Sequence, residues 1–291
     1  MQRTFARYGR FGYRFVTGFL EPGNLPILEV LDRAQRARQV SGAVAEIGVH
    51  HGRLFIGLHL LQRGTGKSVA IDLFGDQELN IDNSGNGDLG KFVDNVTLWS
   101  TMDGVVLHQG DSTILASEQL TEKAGGPIRF FSVDGGHSAE IVYSDMRLAE
   151  ATLADGGIVI ADDIFNQQWP GVAVGTLRYL DDGAKLAPFA IGFNKVFFTQ
   201  PEHCEHYRAE LESAFDSDLR IQTDSTVFAG SPVVYLAPVT AVDVLRRSET
   251  ARSIYHGTYK AMVRGMQLVS ARGKADRSAV GVDTGGKVTG E

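Results

Sequence analysis

Six acids fall where short apolar runs end. Glu46 lies in GAVAEIGV, Asp72 near the end of SVAIDL, Asp111 just past GVVLHQ, Asp134 closes IRFFSVD, and Asp162 with Asp163 end GIVIADD. After Asp134, two glycines lead to His137. A buried strand should not end on a carboxylate with an imidazole three residues on unless something polar waits there. Carboxylates gathered from adjacent strand ends make a hard, anionic oxygen site, which suits Mg2+ or Mn2+ rather than a thiolate-loving metal. An imidazole is the side chain best suited to moving a proton near neutral pH.

For these acids to meet, the strands that carry them must lie side by side and point the same way. The pattern predicts this. Strands are expected at 42–49, 68–73, 104–109, 128–134 and 157–162, with helices at 52–62, 89–101, 113–124 and 138–154 between them. In the last helix Val142, Met146, Ala149 and Leu153 keep the spacing of one buried face. Alternating strands and helices imply βαβ units and a parallel sheet covered on both faces. A helix at 171–182 follows, and LAPFAIGFNKVFFT reads as two strands around a turn at 192–194, an antiparallel hairpin ending the sheet. The fold class is therefore α/β, a Rossmann-like, doubly wound and mostly parallel sheet of seven strands. In such sheets ligands bind outside the carboxyl ends of the strands, the edge where the acids fall.

Around this core, residues 1–40 hold an aromatic-rich arm and a helix at about 26–39. A polar helix is expected at 202–215 and a short strand at 232–237, with a long helix at 241–268. Along that helix Val244, Ala251, Tyr255, Tyr259, Met262 and Met266 form one stripe, read as core packing or a homodimer contact. The tail from Ala271 has almost no apolar content and is expected to be disordered.

The first βα turn, EIGVHHG, offers Gly48 and Gly52 for a tight turn and a close backbone approach to a cofactor. It is not G-x-G-x-x-G, so the dinucleotide-dehydrogenase pattern fails. Asp72, one βα unit later, is placed to accept two ribose hydroxyls, and GDS at 110–112 puts Asp111 and Ser112 where an adenine ring would lie.

On SVDGGH (132–137) and IVIADD (158–163) the chain resembles the class I S-adenosylmethionine-dependent methyltransferases. More narrowly, it is similar to the metal-dependent sugar O-methyltransferases of actinobacteria, of the macrocin and mycinamicin type. The resemblance spans about 41–200. With the elements read above, the expected organisation is an arm and helix at 1–40 covering the acceptor, a seven-stranded methyltransferase domain at 41–238, a C-terminal helix at 239–270 and a tail at 271–291. The resemblance implies Mg2+ (or Mn2+) on Asp134, Asp162 and Asp163 and His137 as general base; together with the turn and strand-end residues read above, S-adenosylmethionine is expected on Glu46, Gly48, Gly52, Asp72, Asp111, Ser112 and Asp134. The family's turn usually has a third glycine where this chain has His50.

Plainer readings stand beside these. Asp162 and Asp163 also fit a helix N-cap and a turn acid, and His137 also fits a capping or solvated position. His50 and His51 fit a turn without a role. EHCEH at 202–206 matches no standard zinc spacing. The loop at 74–88 is long for a βα connection and rich in amide and carboxylate side chains, which suits a polyol lid. Trp169 fits a sugar-stacking platform or the core. A sugar or oligosaccharide hydroxyl is the expected acceptor, and a catechol-like phenol or other small molecule the alternative. A non-catalytic cofactor-binding protein is a third reading, disfavoured by the retention of every acid and of His137.

Composition excludes other classes. With 28 Lys and Arg against 35 Asp and Glu, the net charge is −7, which argues against nucleic-acid binding by counterion release. The start carries four arginines and no acid in its first fifteen residues, which reads as a solvated arm and lacks the apolar stretch of a secretory signal. No apolar run approaches a membrane span. The single Cys204 fits a reducing, cytoplasmic setting.

Overall fold

Ala43–Ile47 (β1) is buried along its whole length, as a strand flanked on both sides and covered on both faces must be. In the computed structural model, which describes residues 4–63, 66–76, 78, 80, 84–240, 243, 253, 257 and 260, β1 pairs in parallel with Ser68–Asp72 (β2) and Ile128–Val133 (β4). Val105–Gln109 (β3) extends one side and Leu153–Asp162 (β5) the other, both parallel. Ala187–Gly192 (β6) and Lys195–Thr199 (β7) form the expected hairpin, with β7 antiparallel to β5. Phe193 and Asn194 both have positive φ (51° and 66°), as a two-residue turn matched to strand twist requires.

The sheet has nine strands, in the order β3-β2-β1-β4-β5-β7-β6-β9-β8. The first seven are those expected. Ser231–Pro238 (β9), anticipated as a short strand, pairs in parallel with β6 and carries Ile221–Phe228 (β8) at the edge. No strand was expected at β8. Its sequence, IQTDSTVF, has half of its side chains exposed and only one buried, and lacks the apolar run that marks a buried strand.

Helices cover both faces. Phe5–Arg10 (α1), Asn24–Ala37 (α2), Phe55–Leu61 (α3), Leu89–Trp99 (α4) and Pro201–Phe215 (α8) carry most of the helical residues of one buried cluster. Ser117–Ala124 (α5), Ala139–Thr152 (α6) and Pro170–Asp181 (α7) carry those of the other. Val142, Met146 and Ala149 are buried on α6 as the spacing predicts. Leu153 is not on that face: the helix ends at Thr152 and Leu153 opens β5. The helix at 202–215 is less polar than expected, burying His203, Cys204, Tyr207, Leu211 and Phe215. Asp32 and Gln35 of α2 both bond the buried Arg129 of β4, Asp32 at 2.9 Å, fastening α2 to the sheet.

The basic start is not a solvated arm. Tyr8, Tyr13 and Val16 are buried. The Tyr8 hydroxyl donates to the Arg53 carbonyl at 2.6 Å, and Arg53 returns bonds to the carbonyls of Tyr13 and Gly18. Apolar rings between the arginines supply the buried area that a purely charged arm would lack.

Met1–Pro238 forms one compact unit and Val239–Glu291 a second. In the second unit positions 243, 253, 257 and 260 are helical. The rest of the helix expected at 241–268, its stripe, the dimer contact drawn from it and the tail from 271 lie outside the described residues. No helix among the described residues is long and apolar enough to cross a membrane.

Candidate active site

The strand order reverses between β1 and β4, so the loops leaving them diverge and open a crevice at the carboxyl edge. Gly48 sits there with φ +82°, and a Cβ on it would lie 1.7 Å from the Asp134 carbonyl oxygen. Only glycine lets the two loops cross this closely. Around the crossing lies a cavity of about 940 Å³.

Asp72 lines the cavity from the end of β2. Its two oxygens accept the backbone N–H groups of His50 (2.7 Å) and Phe74 (2.6 Å), each keeping a lone pair for another donor. Burial raises its pKa despite those bonds. Asp111 and Ser112 also line the cavity, and Asp111 accepts the Thr113 N–H and hydroxyl, both at 2.8 Å, fixing the turn. Gly52 is not among the lining residues. Its φ of +88° makes the turn, and it packs on the Phe92 ring. His50 reaches the cavity wall and stacks on His51 at 3.8 Å.

Deeper in, Glu46, Asp134 and Asp162 surround Lys195, which is 2% exposed. Burial pushes the Glu46 carboxyl up to about 8, against the pull of the Lys195 ammonium. Its Oε2 has no hydrogen-bond partner. Asp134 is likewise raised well above the usual carboxylate range, first by desolvation at the cavity floor and then by Asp162.

The neighbouring acids Asp162 and Asp163 part company. Asp162 bonds the Lys195 ammonium with one oxygen, and with the other accepts the Asp163 N–H (2.9 Å) and the Asn194 amide (3.3 Å). Asp163, at φ +59°, turns the other way. Its Oδ2 lies 3.4 Å from His137 Nε2, and Asn166 and Asn194 donate to its Oδ1. Burial pushes its carboxyl up, but the bonds from His137, Asn166 and Asn194 together hold it at about 2. The His137 ring stacks on Trp169 at 4.1 Å, with 15° between planes. Trp169 lines the cavity, so neither the platform nor the core reading alone describes it.

Oxygen and nitrogen atoms of Asp134, His137 and Asp163 lie within 4.8 Å of one another. This donor set fits a divalent cation: two carboxylates and an imidazole suit Mn2+ and, through the oxygens, Mg2+. Burial favours the neutral form of Asp134, and a bound cation would favour its carboxylate form instead. Asp162, expected with them, is outside this group and faces Lys195. A second group, Asp155, Glu202 and His203, lies away from the cavity, with His203 paired to Asp155 at 2.9 Å.

Lys195, Asn194, Asn166 and Arg53 escape the sequence reading. The one available signal was a lysine opening the apolar run KVFFT. Of the aromatic residues in the arm, Phe19 lines the cavity, while Phe5, Tyr8, Phe11, Tyr13 and Phe15 do not. From the 74–88 loop, Asn80, Ser84, Gly85 and Gly87 line it. Positions 77, 79 and 81–83 lie outside the described residues.

A family described as a methyltransferase domain matches residues 45–164, from β1 through β5. The matched segment contains Glu46, Asp72, Asp111, Asp134, His137, Asp162 and Asp163, while Lys195 and the arm lie outside it. Among curated protein sequences none matches this chain. Solved structures similar to it include the O-methyltransferase NovP, at 18% identity and TM-score 0.48 over 60% of this chain and 79% of that one. TomG of Streptomyces achromogenes, an O-methyltransferase in complex with SAM, is 14% identical at TM-score 0.45 over 68% and 89%. MycE, solved with Mg and SAH, is 18% identical at TM-score 0.40 over 67% of this chain and 53% of its own.

Proposed function

We propose that the protein is an O-methyltransferase that uses S-adenosylmethionine and Mg2+ (or Mn2+) to methylate a hydroxyl of a sugar, glycoside or oligosaccharide. The observation that carries the reading is the convergence of Asp134, His137 and Asp163 in the cavity that Gly48 and Asp72 also line.

In this reading Asp72 accepts the ribose hydroxyls through its remaining lone pairs, and Asp111 and Ser112 flank the adenine. Gly48 lets the cofactor approach the backbone, and Glu46 accepts a donor at its unpartnered Oε2. Asp134 and Asp163 hold the cation, with Asp162 fixed behind them by Lys195. A divalent cation bound there would acidify and orient an acceptor hydroxyl. With the Asp163 carboxylate turned to the cation, His137 Nε2 is released from it, and the imidazole, stacked on the Trp169 ring, takes the hydroxyl proton. The acceptor oxygen forms its bond to the sulfonium methyl carbon in line with the breaking C–S bond, and alignment supplies much of the acceleration. Amide side chains lining the cavity, Asn80, Asn166 and Gln168, supply the donors and acceptors a polyol needs.

Calorimetry with S-adenosylhomocysteine, with and without Mg2+, followed by methylation assays on glycosides and catechols, tests this reading. Cofactor binding, glycoside turnover and its loss in EDTA are expected. Turnover of catechol alone would replace the acceptor class, and full activity in EDTA would remove the cation.

A further inference from the structure

The first twenty residues carry four arginines and no acid, and the first acid of the chain is Glu21. The remaining 271 residues hold 24 lysines and arginines against 35 acids, so a segment of charge +4 stands on a body of −11. This segment is folded. Tyr8, Tyr13, Val16 and Leu20 are buried in the cluster that α2 and α3 also fill. The Arg53 guanidinium bonds the carbonyls of Tyr13 and Gly18, so the chain between them is pinned at both ends.

The residues between the buried ones face solvent. Among the described residues four phenylalanines are largely exposed, and three are here: Phe11 at 52%, Phe15 at 76% and Phe19 at 92%. A single exposed apolar side chain is ordinary, but three rings at four-residue spacing make a patch. The arginines share this face. Arg10 and Arg14 lie over the rings of Phe11 and Tyr13 at 5.2 and 5.5 Å. Arg7 lies 6.0 Å over Trp99, the ring on which Phe15 stacks. Among the described residues none of these three arginines is in an ion pair.

Exposed rings and uncompensated guanidinium groups on a fixed scaffold match the two layers of a membrane surface, acyl chains beneath anionic headgroups. A second copy across a two-fold axis would instead set the same arginines against each other. We propose that the arm over residues 5–19 docks the protein on an anionic bilayer surface, with Phe11, Phe15 and Phe19 in the headgroup boundary and Arg7, Arg10 and Arg14 on the lipid phosphates. The arm lies in the interface and does not cross it. Phe19 also lines the cavity, so docking sets the cavity opening beside the membrane.

Co-sedimentation of the full chain with vesicles tests this without cofactor or acceptor, so the result stands apart from the methyl-transfer reading. Vesicles of phosphatidylcholine with about a third phosphatidylglycerol should bind the protein at least about 10-fold better than phosphatidylcholine alone, since each arginine near an anionic surface contributes about 5-fold. Raising salt from about 0.1 to about 0.5 M should release the protein as screening shortens. Phe11→Ser/Phe15→Ser and Arg10→Gln/Arg14→Gln should each lower the partition coefficient about 10-fold or more with Tm unchanged. If the phenylalanine pair unfolds, the arginine pair carries the test. Failure of the folded wild type to bind, equal binding to both vesicles, or undiminished binding by the variants overturns the proposal. So does a lipid-free dimer, seen by sedimentation velocity, that either pair of substitutions dissociates, since the face then belongs to a second copy.

Discussion

Asp162 and Lys195 face each other across the β5–β7 ladder as register partners, and the Lys195 ammonium bonds the Asp162 carboxylate. Lys195 is thereby the one buried cation among Glu46, Asp134 and Asp162. Lys195→Met should leave the Asp162 carboxylate without its buried partner and destabilise the fold by about 3–5 kcal/mol. Added Mg2+ should raise the Tm of the variant more than that of the wild type, because the cation replaces part of the lost charge. Urea and thermal unfolding measure both. A cost under about 1 kcal/mol would show that the acids are already neutral.

His137→Ala should bind S-adenosylhomocysteine as the wild type does and turn over about 10²–10⁴-fold more slowly. With an acceptor whose hydroxyl is already acidic, such as a nitrophenol, the deficit should shrink. An equal deficit on both acceptors would make His137 a positioning group and leave the base to be found elsewhere.

Asp134→Asn and Asp163→Asn keep side-chain size and remove one negative charge each. Both should weaken Mg2+ or Mn2+ binding by calorimetry while leaving the circular dichroism spectrum unchanged. Unaltered metal affinity in both variants would take these carboxylates out of the cation site.

Asp72→Ala removes a charged acceptor from the cofactor's hydroxyls. The expected loss in S-adenosylhomocysteine affinity is about 1.5–3 kcal/mol, read by calorimetry. Unchanged affinity would exclude Asp72 from the cofactor site.

Asp145, on α6 behind Gly135, is 1% exposed, with the Ser112 side chain beside its carboxyl. Burial pushes its pKa from 3.8 up to about 7. The folded state therefore holds a proton that the unfolded state releases between those values. Its contribution to stability is complete below about pH 4, falls as pH rises towards 7 and is flat above. From pH 5 to pH 8 the wild type should lose about 2–3 kcal/mol through this group, and Asp145→Asn should lose none of it. Urea unfolding at the two pH values decides. Identical losses in both proteins would mean that Asp145 is ionised in the fold.

The alternation of apolar runs with helical patterns, and the acid near the end of each run, were legible in the chain itself. Local periodicity carries that information, because a strand or helix must bury one face whatever its neighbours are. A parallel sheet then brings Asp72, Asp134 and Asp162 to one edge without further instruction. What the sequence left open is which groups share each acid. Lys195 lies thirty-three residues beyond Asp162 and meets it only because β7 runs antiparallel to β5, which returns the start of β7 to the edge where the parallel strands end. The left-handed turn at Asp163 sends two adjacent carboxylates to different partners, and the crossing at Gly48 depends on a carbonyl eighty-six residues away. Spacing along the chain decides which side chains reach the edge. Strand direction and register, set by packing between distant segments, decide which of them meet.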